Sequence, residues 1–99
     1  LRRHPEIDTL FVAASGTFGA CRAVIELGRE KNMRVVAFDT VPSTVEMMRR
    51  GLVRGVVTQQ PFMQGYQAVR AAFDILLTGT PKQGEQIIME NQIKIVENL

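Results

Sequence analysis

Apolar residues in this chain fall into two kinds of run, and their alternation predicts the fold. Residues 10–14, 34–39 and 55–59 form short apolar runs, each ending at a small or polar residue. Runs of that length and β-branched content read as strands buried in a parallel sheet. Helical patterns lie between them. From residue 18 to about residue 30, Phe18, Cys21 and Ile25 share an apolar stripe, while Arg22, Glu26 and Glu30 recur every fourth position on the wet side. Ser43-Thr-Val-Glu46 has the spacing of a capping box, which predicts Ser43 as the N-cap of a short helix closing at Gly51. Pro61 suits the first position of a longer helix striped by Phe62, Tyr66, Val69, Phe73 and Leu76 or Leu77. That helix ends at Gly79, with Pro81 just beyond. Weak alternation through Ile87, Met89, Ile93 and Ile95 predicts one or two short strands between residues 86 and 96. Strand and helix in strict alternation imply parallel pairing with right-handed crossovers, hence a layered α/β fold with a parallel sheet and helices on both faces.

Two strands end on residues with chemistry. Asp39 follows Arg34-Val-Val-Ala-Phe38, and Gln59 follows Gly55-Val-Val-Thr58. In open parallel sheets, ligands bind outside the carboxyl ends of the strands. A carboxylate accepts hydrogen bonds and a Gln amide both donates and accepts, so the pair suits a neutral polyhydroxylated molecule better than an anion. Plainer readings stay open. Asp39 lies beside Thr40, Pro42 and Ser43 in a turn-rich string, and Gln59 is equally a solvated strand end or a cap for the helix at Pro61. The loop Ala14-Ser-Gly-Thr-Phe-Gly19 differs from the dinucleotide fingerprint G-x-G-x-x-G in its first position, and Asp39 lies twenty residues after Gly19. A nucleotide-binding domain of an oxidoreductase is therefore a rival reading. Against it, the missing glycine is the one that makes the tight turn, and Gln59-Gln60-Pro61 is left without a role. Gly16 and Gly19 also serve simply to permit a tight turn and close helix packing.

Composition narrows the choice. At 99 residues the chain is one domain at most, 45% hydrophobic and 22% charged, as in an ordinary globular protein. No run approaches the length of a membrane-spanning helix, and no membrane insertion is expected. A net charge of +2, with basic and acidic residues interleaved, gives no footprint for nucleic acid. Arg49, Arg50 and Arg54 are the densest basic cluster, explained by arginines near a helix C-terminus complementing its dipole. Cys21 is the single cysteine and sits on an apolar stripe, so it reads as core and mildly favours a reducing compartment. One His and one Cys assemble no catalytic set or metal-ligand spacing. No enzyme activity, metal or cofactor is expected. The start at Leu1-Arg2-Arg3-His4-Pro5 suggests a mature N-terminus or a piece of something longer.

Val35-Val-Ala-Phe-Asp39, then Pro42 with Val45-Glu46 and Gly51, then Gly55-Val-Val-Thr-Gln-Gln-Pro-Phe-Met-Gln-Gly-Tyr66, together resemble the C-terminal part of type I periplasmic sugar-binding proteins. They also resemble the related effector domains of lactose-repressor-type (LacI-type) transcription regulators. The resemblance covers nearly the whole chain. It implies that residues 1–99 form the C-terminal portion of a two-lobed sugar-binding domain, with the helix of residues 61–78 belonging to the other lobe. It places Asp39 and Gln59 in the sugar site. Where the family often has Asn-Asp after its strand, this chain has Ala14-Ser15-Gly16, so Ser15 or backbone amides take that part, and Phe18 and Phe62 are candidate apolar walls. Gly19-Ala-Cys-Arg-Ala23 and the ending Ile93-Lys-Ile-Val-Glu-Asn-Leu99 favour the regulators. The expectation is thus the effector-binding domain of a cytoplasmic LacI-type regulator, a homodimer that binds a sugar or polyol and meets DNA through a domain absent from this chain. The alternative is a sugar receptor of an ABC transporter, in the periplasm or as an extracellular lipoprotein.

Overall fold

The structure is a computed structural model that describes residues 1–79 and 86–99. Its elements run β1 (Thr9–Phe11), α1 (Thr17–Glu26), β2 (Arg34–Phe38), α2 (Pro42–Arg49), β3 (Val53–Thr58), α3 (Pro61–Thr78) and β4 (Gln92–Lys94), followed by a 3-10 turn at Val96–Asn98. The chain divides into two compact units, Leu1–Thr58 with Ile93–Leu99, and Gln59–Gln92. The alternating α/β order expected from the sequence is present. Pro81, expected beyond α3, lies outside the described residues.

In the first unit β1, β2 and β3 pair in parallel, Leu10 beside Val35 and Ala37 beside Val56, and the sheet order is β1-β2-β3-β4. Arg54 is an extra residue in β3, because Val35 faces Val53 while Val36 faces Gly55. Right-handed crossovers between neighbouring parallel strands put both connecting helices on one face, and α1 packs against α2. Toward that layer point Val35, Ala37, Val53 and Val56, all buried. Val36, Phe38 and Val57, alternate in each strand, are half-buried. Cys21 and Val24 of α1, Met47 and Met48 of α2, and Met33 and Leu52 complete the core. Each fully buried side chain of this size contributes roughly 1.5–3 kcal/mol.

The local rules that end the helices held better than those that start them. Gly28 and Gly51, at φ 66 and φ 81, take the left-handed position after α1 and α2. Around each, two amides turn back on the last turn: Gly28 N to Ile25 O with Arg29 N to Val24 O, and Gly51 N to Met48 O with Leu52 N to Met47 O. This is the Schellman arrangement, with Leu52 as its buried anchor. Helix α1 therefore stops at Glu26, short of the expected residue 30, and Glu30 pairs instead with Arg50 at 3.7 Å. The Arg22 to Glu26 pair does form, at 2.9 Å. The stripe of α1 is rotated from the expected one: Thr17, Cys21 and Val24 are buried, whereas Phe18 is exposed. The capping box at Ser43 does not form. Pro42 occupies the first turn and Val41 the cap position, without a side-chain bond, because the fixed φ of proline starts the helix one residue before Ser43 could cap it. In the tail, the strand expected between residues 86 and 96 is confined to Gln92–Lys94.

In the second unit, α3 begins at Pro61 and ends at Gly79, which takes φ 67 and donates its N–H to Ile75 O at 2.8 Å. None of its residues is buried.

Met48→Ala should lower unfolding free energy by about 2–5 kcal/mol, and Gly51→Ala by about 1 kcal/mol because an L side chain resists the left-handed region; urea titration measures both. Burial pushes the Cys21 thiol up. The fold favours its neutral form, so this contribution is fully present below the unfolded thiol's value of about 8.5 and is lost as pH rises above that through the raised folded value. Ellman's reagent should label native Cys21 no faster than the protein unfolds.

Candidate functional site

Asp39 follows the carboxyl end of β2 and holds an uncommon backbone, with φ 66. Asp tolerates the left-handed region better than most residues, since its short polar side chain can bond locally. The N–H of Asp39 is fixed, donating to Val57 O at 2.9 Å. Its carboxylate makes no hydrogen bond or ion pair among the described residues. Strained backbone that persists in a fold costs on the order of 1–3 kcal/mol and concentrates at functional positions. Thus the main chain of Asp39 is held while its acceptor oxygens stay unpaired, which is what a ligand-facing carboxylate requires.

Ser15 and Phe18 flank the start of α1 in the same unit. The ladder continues past β1 through Val12 N to Val36 O, at 2.9 Å, so residues 13–15 leave the sheet at the same edge as Asp39. Gly16 makes the turn into the helix at φ 107, a conformation that needs glycine. Ser15 and Phe18 are both exposed. Phe11 and Phe38, on adjacent strands, meet edge to face with ring centroids 5.7 Å apart. Hydrophobic patterning assigned both to strands and gave no hint of this pair.

Gln59 and Phe62 belong to the second unit. The cap position of α3 is Gln60, which makes no side-chain capping bond. The reading of Gln59 as a helix cap is therefore set aside. Gln59 is exposed, and its side-chain amide has no partner among the described residues. Its backbone is held: Gln64 Nε2 donates to Gln59 O at 2.6 Å, and Gln60 Nε2 donates to Glu90 O at 2.6 Å. These two glutamines were missed by sequence reasoning. Their signal is the Gln-Gln-Pro string, in which the residue before proline has restricted backbone. Phe62 is exposed on the first turn of α3.

The five expected site residues thus divide, Ser15, Phe18 and Asp39 in one unit and Gln59 and Phe62 in the other. The first unit offers one anionic acceptor, one hydroxyl and one aromatic face, and the second one amide and one aromatic face. Among the described residues, no group of three or more His, Cys, Asp or Glu could hold a metal ion. No helix there is long and apolar enough to cross a membrane.

Residues 1–81 match the family described as periplasmic binding protein domain, and the chain belongs to it. A D-ribose/D-allose-binding protein of Pseudomonas aeruginosa is 26% identical over 97 residues, covering 97% of this chain and 30% of that protein. Among solved structures, the glucose-galactose binding protein GanP of Geobacillus stearothermophilus superposes with a TM-score of 0.80 at 22% identity, over 100% of this chain and 35% of its own. A LacI transcriptional regulator of Bacteroides fragilis superposes with a TM-score of 0.86 at 18% identity, over 98% of this chain and 33% of its own. The chain spans about a third of the length of the relatives it matches.

Asp39→Asn should leave the melting temperature unchanged, because Asn also tolerates positive φ. Asp39→Val should lower stability by about 1–2 kcal/mol. Equal melting curves for the two would show that the backbone conformation at residue 39 is not held as described.

Proposed function

We propose that this chain, as a member of the periplasmic binding protein domain family, reversibly binds a small neutral polyhydroxylated ligand, a sugar or polyol, and performs no chemistry on it. The observation that carries this reading is the condition of Asp39 and Gln59. Both follow parallel strands, both have bonded backbones, and both keep their polar side-chain atoms unpaired among the described residues. A ligand with several hydroxyls suits each of them, since hydroxyls donate to the carboxylate and exchange bonds in either direction with the amide. Ser15 adds a hydroxyl. Phe18 and Phe62 are apolar walls for the C–H faces of such a ligand.

We assign α3 to the second lobe of a two-lobed domain, because it buries none of its own residues and falls in a separate unit. The role we assign is that of a sugar receptor. The family's description and the sugar-binding relative at 26% identity support it. The regulator role, with its homodimer and operator DNA, has behind it a likeness at 18% identity, which carries fold alone.

Calorimetric titration of the purified protein with D-ribose, D-allose, D-galactose and myo-inositol tests the reading. At least one should bind, and Asp39→Asn should weaken it about tenfold or more, the value of a hydrogen bond to a charged acceptor. NADH should not bind. Saturable NADH binding with no response to any sugar would replace this function by the dinucleotide one.

A further inference from the structure

Gln60 precedes Pro61, and a residue before proline is ordinarily pushed into extended backbone. Here it stands at φ 55, ψ 59, in the left-handed region. It lacks the short side chain of Asn or Asp and the freedom of Gly, the residues that usually visit that region. Something outside the local sequence holds it there. Its side-chain Nε2 donates to the carbonyl of Glu90, thirty residues further on, at 2.6 Å. The second unit begins at Gln59 and ends at Gln92, so this bond joins its incoming and outgoing strands of chain within two residues of either end. Gln64 secures the same turn from the helix side, donating through its backbone N to Gln60 O at 3.0 Å and through Nε2 to Gln59 O. Gln60 is half-buried, whereas Gln59 is exposed and its amide is unpaired among the described residues.

We propose that Gln60 is a positioning residue: clipped to Glu90, its amide fixes the turn between β3 and α3 and thereby sets the direction of Gln59 toward the ligand. The inference rests on the reading of Gln59 as a sugar contact. Two neighbouring glutamines then have separate duties. Gln59 touches the ligand, and Gln60 turns inward to the returning chain.

The test uses Gln60→Gly, which keeps positive φ accessible and removes only the amide, and Gln60→Asn, whose amide is one methylene too short to reach Glu90 O. D-ribose is the titrant. Both variants should melt within a few degrees of the parent and bind D-ribose about fivefold more weakly. In a Gln59→Ala background, Gln60→Gly should cost no further affinity, since the residue it positions is gone. Additive losses, or an unchanged affinity in Gln60→Gly, overturn the proposal. A sugar-free readout separates this failure from failure of the sugar reading. In carbon- and nitrogen-labelled protein, Gln60→Gly should move the Glu90 carbonyl and the Gln59 side-chain amide resonances. If the parent protein ignores D-ribose while those resonances move, the clip stands and the ribose assignment falls. If they stay in place, the clip is absent whatever the sugar result.

Discussion

Parallel pairing of β1, β2 and β3 is the constraint on which the rest of the first unit depends. A parallel strand cannot return through a tight hairpin, so each must be left by a crossover, and right-handed crossovers between consecutive neighbours stack α1 and α2 on a single face. The core follows from that stacking. Cys21, Val24, Met47 and Met48 from the helices close over Val35, Ala37, Val53 and Val56 of the sheet. The same constraint gathers chemistry. All three strands run in one direction, so the residues that follow β1 and β2 emerge at one edge, and Asp39 is among them.

At two places the backbone carries more restraint than its sequence asks for. Asp39 and Gln60 are the two non-glycine residues with positive φ among the described residues. Asp39 directly follows β2 and Gln60 is the cap position of α3, and each is held by a bond to a distant part of the chain, Asp39 N to Val57 O and Gln60 Nε2 to Glu90 O. At Asp39 the fixed main chain leaves the side chain to be aimed, which lowers the cost of ordering it when a ligand arrives. Packing alone does not call for either conformation.

Much of this was legible in the residues. Pro61 and Gly79 mark the ends of α3 because one residue lacks an N–H and the other accepts positive φ at no steric cost, properties independent of tertiary context. Asp39 was placed correctly after its strand for a similar reason: an apolar run that stops at a carboxylate has few other readings. Context defeated the sequence elsewhere. Phe18 looked like part of the α1 stripe, but the turn at Gly16 rotates the helix so that Thr17 is buried in its place. Ser43 matched a capping box that the fixed φ of Pro42 pre-empted. Gln60 carried no signal beyond its place before proline, because its partner is thirty residues away and no local rule couples them.

The function proposed for this chain depends on Asp39 and Gln59 each receiving a polyhydroxylated ligand. Backbone and side-chain amide resonances of the labelled protein, followed during addition of D-ribose or myo-inositol, test it most directly. Saturable shifts are expected at residues 15–18, 39–40 and 59–62, with the solvent face of α1 at Arg22 and Glu26 unmoved. Saturable shifts elsewhere, with Asp39 and Gln59 silent, would contradict it.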